Sequence, residues 1–297
     1  MKLLNYYRQF FVLSIAITLI SIIALAVFGL KLGIDFKGGS VTELEFNQAV
    51  DTGKVREVIQ QKGISGAQVQ STEDNGVIIR TEQQDEEKHK ELLAALKTDV
   101  GEFTEKSYQS IGPIVGEQLT RQAVYQLILV SLGIVLYIAY AFRKVTKPIS
   151  SWQFGIAAVV ALLHDLIVVL GIFALLGHFF NIEIDSMFVT AMLTVLGFSV
   201  HDTIIVFDRI RENLRVYAGQ SIEFVVNHSI SQTLVRSLNT SLTVLFVLLA
   251  LLLFGGETIR YFVLALFVGI VAGTYSSIFV ASPILVLWQN YRLRKRK

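Results

Sequence analysis

The chain has no cysteine among its 297 residues, which excludes disulfides and thiolate metal sites. Charge is scarce as well. Only 17% of residues are Asp, Glu, Lys or Arg, against 53% hydrophobic, a balance too apolar for an ordinary soluble domain. The sequence contains no G-x-S-x-G, no H-E-x-x-H and no Walker A loop. The common signatures of a serine hydrolase, a zinc protease and a nucleotide motor are therefore missing. Lysine and arginine are absent from two segments in particular, Gly177–Asp185 and Gly255–Thr258.

What is present is a set of six apolar runs of about 20 residues, each long enough to cross a hydrocarbon core of about 30 Å. They are Phe10–Leu30, Ala123–Phe142, Phe154–Leu176, Met187–Phe207, Leu238–Phe254 and Tyr261–Trp288. The last is longer than a crossing needs, which predicts tilt or an extension past the membrane. Basic residues fall in alternate connections: Lys2 and Arg8; Arg143, Lys144 and Lys147; Arg209, Arg211 and Arg215; and Arg292, Arg294, Lys295, Arg296 and Lys297. Such segments face the cytoplasm, so both termini are expected inside and the two loops without Lys or Arg outside. Ala24–Ala26 resembles a signal-peptide cleavage site, but the apolar run continues to Leu30. An uncleaved anchor is expected.

Residues 31–122 differ in kind. They are polar, lack long apolar runs and are expected outside the membrane. Val41–Phe46 alternates like a half-buried strand, and Val55, Val58 and Ile59 fall at helical spacing before Gly63. Two short strand-like pieces flank Glu73–Gly76, where Asn75-Gly76 is a hairpin signal. Leu92, Leu93 and Leu96 mark a second helix, and Glu102–Gly112 returns to alternation. The order β-α-β-β-α-β predicts an α+β ferredoxin-like domain. His89, set among charges, is expected on a solvated face. No nucleophile–base pair stands out, so the domain is expected to bind rather than catalyse. The expected organisation is a first span at 1–30, this domain at 31–122, a five-helix region at 123–288 and a basic tail at 289–297.

Ionisable residues inside spans cost about 2.5–3.5 kcal/mol or more at a helix centre and usually mark a pathway. Here they fall on three neighbouring spans: His164 and Asp165, His201 and Asp202, and Arg236. Gln232, Arg236, Asn239, Thr240 and Thr243 recur at intervals of three or four and share one helix face. Thr190, Thr194, Gly197 and His201 form a similar stripe beside Asp202. Two polar faces in an apolar solvent seek each other, and the simplest packing brings Asp202 towards Arg236. Each group also has a structural reading. Asp165 could hydrogen-bond across the bundle, His164 and His201 could be packed neutral rings, and Arg236 could snorkel to headgroups. Asp202 fits the structural reading least well, being deeper than the cytoplasmic charges. Gly269–Gly273 reads as helix packing through small residues.

One span, an outer domain and five more spans resemble half of a transporter of the RND (resistance–nodulation–division) type. Within that class the chain resembles the SecD/SecF family of bacterial protein-export membrane proteins, on the SecF side. The resemblance is carried by "GIDFKGGS", "IGPIVGEQL", "ALLHD", "GFSVHDTIIVFDRIREN" and "SLNTSLTVL". It places Asp35, Gly38, Gly39, Gly112, Pro113 and Gly116 in the two glycine-rich motifs, expected to form turns. It implies a location in the bacterial cytoplasmic membrane and a paralogous SecD partner as a separate chain. It further implies work with the SecYEG channel, often with YajC, on an unfolded preprotein after the ATPase SecA has acted. The resemblance also implies use of a proton or sodium gradient, with no other cofactor, no nucleic acid and no enzymatic reaction expected. Asp202 and Arg236 match the family's coupling carboxylate and arginine. His201, Asp165, His164, Thr240, Asn239 and Gln232 are candidate supporting residues. The competing readings are a half-transporter exporting lipid or a small hydrophobic molecule, and an assembly factor whose membrane charges only hold partners.

Overall fold

A computed structural model describes residues 7–64, 67–72, 75–143 and 149–295. Lys2, Lys144, Lys147, Arg296 and Lys297, counted above as cytoplasmic charges, and Glu73 and Asp74 of the expected hairpin lie outside the described residues. In chain order the elements are α1 (Tyr7–Phe28), α2 (Ile34–Lys37), β1 (Gly39–Phe46), α3 (Thr52–Gln61), β2 (Gln68–Ser71), β3 (Gly76–Thr81), α4 (Glu86–Asp99), β4 (Phe103–Ile111), α5 (Pro113–Ala141), α6 (Ser151–Phe180), α7 (Ser186–Val216), α8 (Ile222–Phe254), α9 (Glu257–Ser276), a π-helical segment (Ser277–Ala281) and α10 (Ser282–Arg294). The chain divides into two compact units, Leu32–Val124 and the union of Met1–Lys31 with Tyr125–Lys297.

In the Leu32–Val124 unit, β1 to β4 form one antiparallel sheet in the order β2-β3-β1-β4. Each long helix therefore carries the chain past one intervening strand: α3 from β1 to β2, α4 from β3 to β4. The element order matches the β-α-β-β-α-β expected. Alternation explains the core. Leu44 and Phe46 of β1 and Val77 and Ile79 of β3 point to one face, where Val55, Val58 and Ile59 of α3 and Leu92 and Leu96 of α4 meet them. Leu93 is only partly buried against this core. The β2–β3 turn closes with Asn75 at φ 59°, the left-handed conformation its short polar side chain tolerates.

One expectation fails here. His89 is 5% exposed, not solvated. It occupies the same helix face as Leu92 and Leu96, its Nε2 lies 2.8 Å from Glu105 Oε1, and its ring stacks on Tyr108 at 3.6 Å. Its position three residues before Leu92 put it on the inward stripe, whatever its charged sequence neighbours.

The other unit is helical. Six segments among the described residues are long and apolar enough to cross a membrane: α1, α5, α6, α7, α8 and the continuous run from α9 through α10. The last was the run that looked too long, and it contains the π-helical segment. α6, α7 and the α9–α10 run are the most buried, while α1, α5 and α8 present most of their surface outward. α1 lies along α6 at a close approach: a Cβ on Gly171 would come within 2.3 Å of Ser21 Cβ. At one end Phe142, Phe154 and Phe207 pack ring on ring, at 5.1–6.1 Å between centroids. At the α6–α7 turn, Asn181 takes φ 57° as the helix cap, and Lys31 reaches its Oδ1 at 3.0 Å and Glu183 at 3.8 Å.

Candidate functional site

Asp202 sits in the middle of α7 and is fully buried. Its Oδ2 accepts from Ser241 Oγ of α8 and Thr274 Oγ1 of α9, each at 3.3 Å, and those two hydroxyls are 2.6 Å apart. Its Oδ1 is buried with no hydrogen-bond partner among the described residues. A buried acceptor left unpaired costs about 1–3 kcal/mol, more when charged. Three helices thus meet at one incompletely satisfied carboxylate.

The expected pairing with Arg236 is not found. Arg236 is exposed, as are Gln232, Asn239 and Thr243, with Thr240 partly so. Among the described residues, Asp202 bonds to Ser241 and Thr274 instead. The face of α8 turned into the bundle is the neighbouring stripe Ser229, Thr233, Ser237 and Ser241, all buried. Small hydroxyl residues allow close helix approach and can return their hydrogen bonds to their own helix. Ser229 does so to Val225 O at 2.8 Å and Thr233 to Ser229 O at 3.1 Å. Arg236 and Asn239 are bulkier and stay outside. The spacing of four through 229, 233, 237 and 241 was legible, but the larger polar residues drew the assignment one position round the helix. On α7 the stripe Thr190, Thr194, Gly197 and His201 is likewise exposed, with Asp202 one position round and inward.

Gln232 belongs to a different cluster at the end of the α7–α8 hairpin. Its Oε1 accepts from Arg209 Nε at 2.6 Å and Asn213 Nδ2 at 2.8 Å, and Arg209 also reaches Glu212 at 2.6 Å. Thr240 and Thr243 return their hydroxyls to α8 carbonyls, at 2.9 and 2.8 Å.

Asp165 and His164 lie on α6, 1% and 7% exposed. Asp165 Oδ1 is 3.0 Å from His164 Nδ1, and Oδ2 accepts from Ser199 Oγ of α7 at 2.5 Å and Ser276 Oγ of α9 at 2.8 Å. The two carboxylates are thus held by the same two helices. α7 carries Asp202 and the Ser199 donor, while α9 carries Thr274 and Ser276. Ser199, Ser241, Thr274 and Ser276 were not singled out from the sequence, because isolated serines in an apolar run carry little signal. The seam that brings α7 and α9 together was. A Cβ on Gly269 would fall 2.2 Å from Val195 Cγ2, and one on Gly273 would fall 2.9 Å from Ser199 Cβ.

The glycine-rich motifs do more than turn. Asp35 lies in α2, Gly39 begins β1, and Pro113 and Gly116 lie in the first turn of α5; only Gly38 and Gly112 are connectors. Gly38 takes φ 77°, and a Cβ there would strike Pro113 Cα and N at 2.9 Å. A Cβ on Gly116 would lie 2.9 Å from Gly38 N and 3.0 Å from Phe36 O. Gly39 pairs with Ile111 across the β1–β4 ladder. The two motifs are therefore halves of one backbone clamp that only hydrogen side chains allow.

A bundle of membrane-length helices with buried carboxylates shared between them, joined in sequence to a small α+β unit, defines the class: a polytopic membrane protein. Residues 91–291 match the family described as "Protein export membrane protein SecD/SecF, C-terminal", and residues 23–50 match the "SecD/SecF GG Motif". The chain belongs to the SecD/SecF family. It is 50% identical to the protein translocase subunit SecF of Thermobaculum terrenum, over 97% of this chain and 94% of that one. It is 39% identical to the SecF subunit of Anaerolinea thermophila, over 98% and 94%. The crystal structure of SecDF from Thermus thermophilus, a translocon-associated membrane protein, superposes with a TM-score of 0.84 at 34% identity. That likeness covers 96% of this chain but 38% of the SecDF chain.

Proposed function

We propose that the chain is a non-enzymatic accessory subunit of the Sec protein-export machinery, acting with SecD to draw on a proton or sodium gradient late in preprotein translocation. The family and the SecF relatives support the export role. The observation that supports ion coupling is Asp202: fully buried, with Oδ1 unpartnered among the described residues and Oδ2 held by hydroxyls from two further helices.

The chemistry follows from hydrogen-bond roles. An ionised carboxylate only accepts, so it takes a hydrogen bond from the Ser241–Thr274 hydroxyl pair, whose oxygens also share a 2.6 Å contact; a protonated one carries a donor of its own. Taking up a proton at Oδ1 changes which contacts α8 and α9 can make with α7, and so biases the packing of the three helices. Each charge carried across 100 mV supplies about 2.3 kcal/mol, enough to shift an arrangement balanced within a few kcal/mol.

SecD would supply the other half of an RND-type bundle, and the Thermus relative, SecDF, is a longer chain of which this one matches 38%. The outward polar stripes, Arg236 with Asn239 and Thr243 on α8 and Thr190, Thr194 and His201 on α7, are unsuited to lipid. SecD is the partner we assign to them. There Arg236 would lend its charge to the coupling site from the partner-facing side. We read the Leu32–Val124 unit as ferredoxin-like and extracytoplasmic, since Arg143, Arg209, Arg211, Arg215 and Arg292 lie at the opposite ends of the spans. Both termini are then cytoplasmic. On the outer side the unit would meet the emerging unfolded chain, with SecYEG and YajC as neighbours in the bacterial cytoplasmic membrane.

The test is co-purification with completion of export. SecD and SecYEG should accompany the tagged chain from membranes, and vesicles lacking it should stall a preprotein already advanced by SecA. A chain that purifies without either partner and leaves stalled preprotein unaffected would contradict the assignment.

A further inference from the structure

Asp202 is not the only carboxylate buried in the bundle, and the second differs from it in kind. Both of its oxygens are engaged. His164 Nδ1 stands 3.0 Å from Asp165 Oδ1, and Ser199 and Ser276 reach Oδ2 at 2.5 and 2.8 Å. Two serine hydroxyls donating to the same oxygen require that oxygen to be an acceptor. With Asp165 ionised, the contact from His164 is a donated Nδ1–H, the tautomer that leaves Nε2 with a lone pair. His164 Nε2 is buried and has no partner among the described residues. Beside it the Tyr275 ring runs roughly parallel at 6.4 Å, and the Tyr275 hydroxyl is turned away to Ser14 Oγ and Phe10 O of α1, both at 3.0 Å.

We infer that His164 and Asp165 form a second proton-binding site, with the proton taken up at His164 Nε2. The inference deepens the ion-coupling reading of this chain and rests on it for its purpose, not for its chemistry. In the empty state the pair is a carboxylate and a neutral ring, with net charge −1. A proton adding to the Nε2 lone pair makes an imidazolium that still donates Nδ1–H to Asp165, with net charge 0. No bond other than N–H forms or breaks. The site is built for this exchange: a carboxylate held in place by two hydroxyls and a ring nitrogen left open.

The groups facing the pair are few. α7 contributes Ser199, α9 contributes Ser276 and Tyr275, and α1 contributes Ser14 through Tyr275. His164 and Asp165 make no ion pair other than their own among the described residues. Because α7 and α9 also hold Asp202 and its Thr274 donor, a change of charge at the pair acts on the two helices that grip the first site.

The test is nitrogen NMR of the full chain in lipid bilayers with 15N-labelled histidine. There are five histidines, and His164→Gln identifies the resonance of interest. As pH is lowered, His164 should convert from a neutral ring protonated at Nδ1 to an imidazolium. Asp165→Asn should abolish the conversion, since a neutral amide cannot balance the charge of a buried imidazolium. Should that variant misfold, Ser276→Ala keeps both members of the pair and should retain the conversion. A ring that stays neutral throughout in the folded wild type overturns the proposal, as does an unchanged conversion in Asp165→Asn. Asp202→Asn should leave the conversion in place. The spectrum therefore stands or falls apart from any export assay at Asp202.

Discussion

The contact between α7 and α9 is tight enough for a single methyl group to test the site. A Cβ on Gly273 would lie 2.9 Å from Ser199 Cβ, 3.1 Å from Ser199 Cα and 3.3 Å from its Oγ, where ordinary contact begins at 3.4 Å. One obstacle is backbone, so no rotamer relieves it. Gly273→Ala must part the helices by about half an ångström, an overpacking that costs about 1–3 kcal/mol. The Thr274–Asp202 contact is already 3.3 Å long and would be carried beyond hydrogen-bond length. Gly273→Ala should therefore lower the thermal midpoint of the purified chain and reduce gradient-stimulated export together. Gly269→Ala, with Val195 Cγ2 2.2 Å away, should be worse. Gly133→Ala meets nothing within 4 Å and should be neutral or gain about 0.5–1 kcal/mol from helix propensity. If Gly273→Ala matches the wild type in both midpoint and export, the close α7–α9 seam does not hold the site.

Other expectations follow from the same geometry. Ser241→Ala and Thr274→Ala each remove one donor to Asp202 and should each impair export partially, with the double variant worse than either. Cysteine placed at Lys88, which is exposed, should be labelled only from outside the cytoplasm, and this chain has no native cysteine to interfere. His89→Ala empties a buried position stacked on Tyr108, which should lower the melting point of the Leu32–Val124 unit by an amount worth about 0.5–3 kcal/mol. Glu86 is exposed, and the hydrogen bond it accepts from Lys90 Nζ holds its carboxyl below the ordinary value of 4.5. A depressed value adds stability above 4.5 that is lost as pH falls through the folded value. Lys90→Ala should therefore reduce the acid sensitivity of melting slightly, as read by calorimetry across that range.

Much of the fold was legible because its signals are long and redundant. Six apolar runs and the alternation of arginines and lysines need no fine register, and Asn75-Gly76 marked its turn by a conformation few residues accept. Positions that depended on one helix's rotation were not legible. α8 carries a large polar stripe and, one residue round, a small hydroxyl stripe. Size decided between them, because close approach to α7 and α9 admits serine and threonine and not arginine. His89 was misplaced for the opposite reason: its charged neighbours in sequence outweighed its spacing from Leu92 and Leu96. The clamp between Gly38, Pro113 and Gly116 joins segments more than 70 residues apart, which no local pattern reveals. Asp202 itself was found from the sequence, but its partners Ser241 and Thr274 were not.

The central claim is that Asp202 converts an ion gradient into export. Vesicles containing SecD, SecYEG and either this chain or its Asp202→Asn variant can be loaded with a preprotein arrested after the SecA step, then given an imposed proton or sodium gradient. Asn keeps the shape and the contacts with Ser241 and Thr274 but cannot exchange a proton. The account predicts that the variant assembles with SecD as the wild type does, and that neither gradient accelerates its completion of export. Acceleration of the variant equal to that of the wild type, under either gradient, would contradict it.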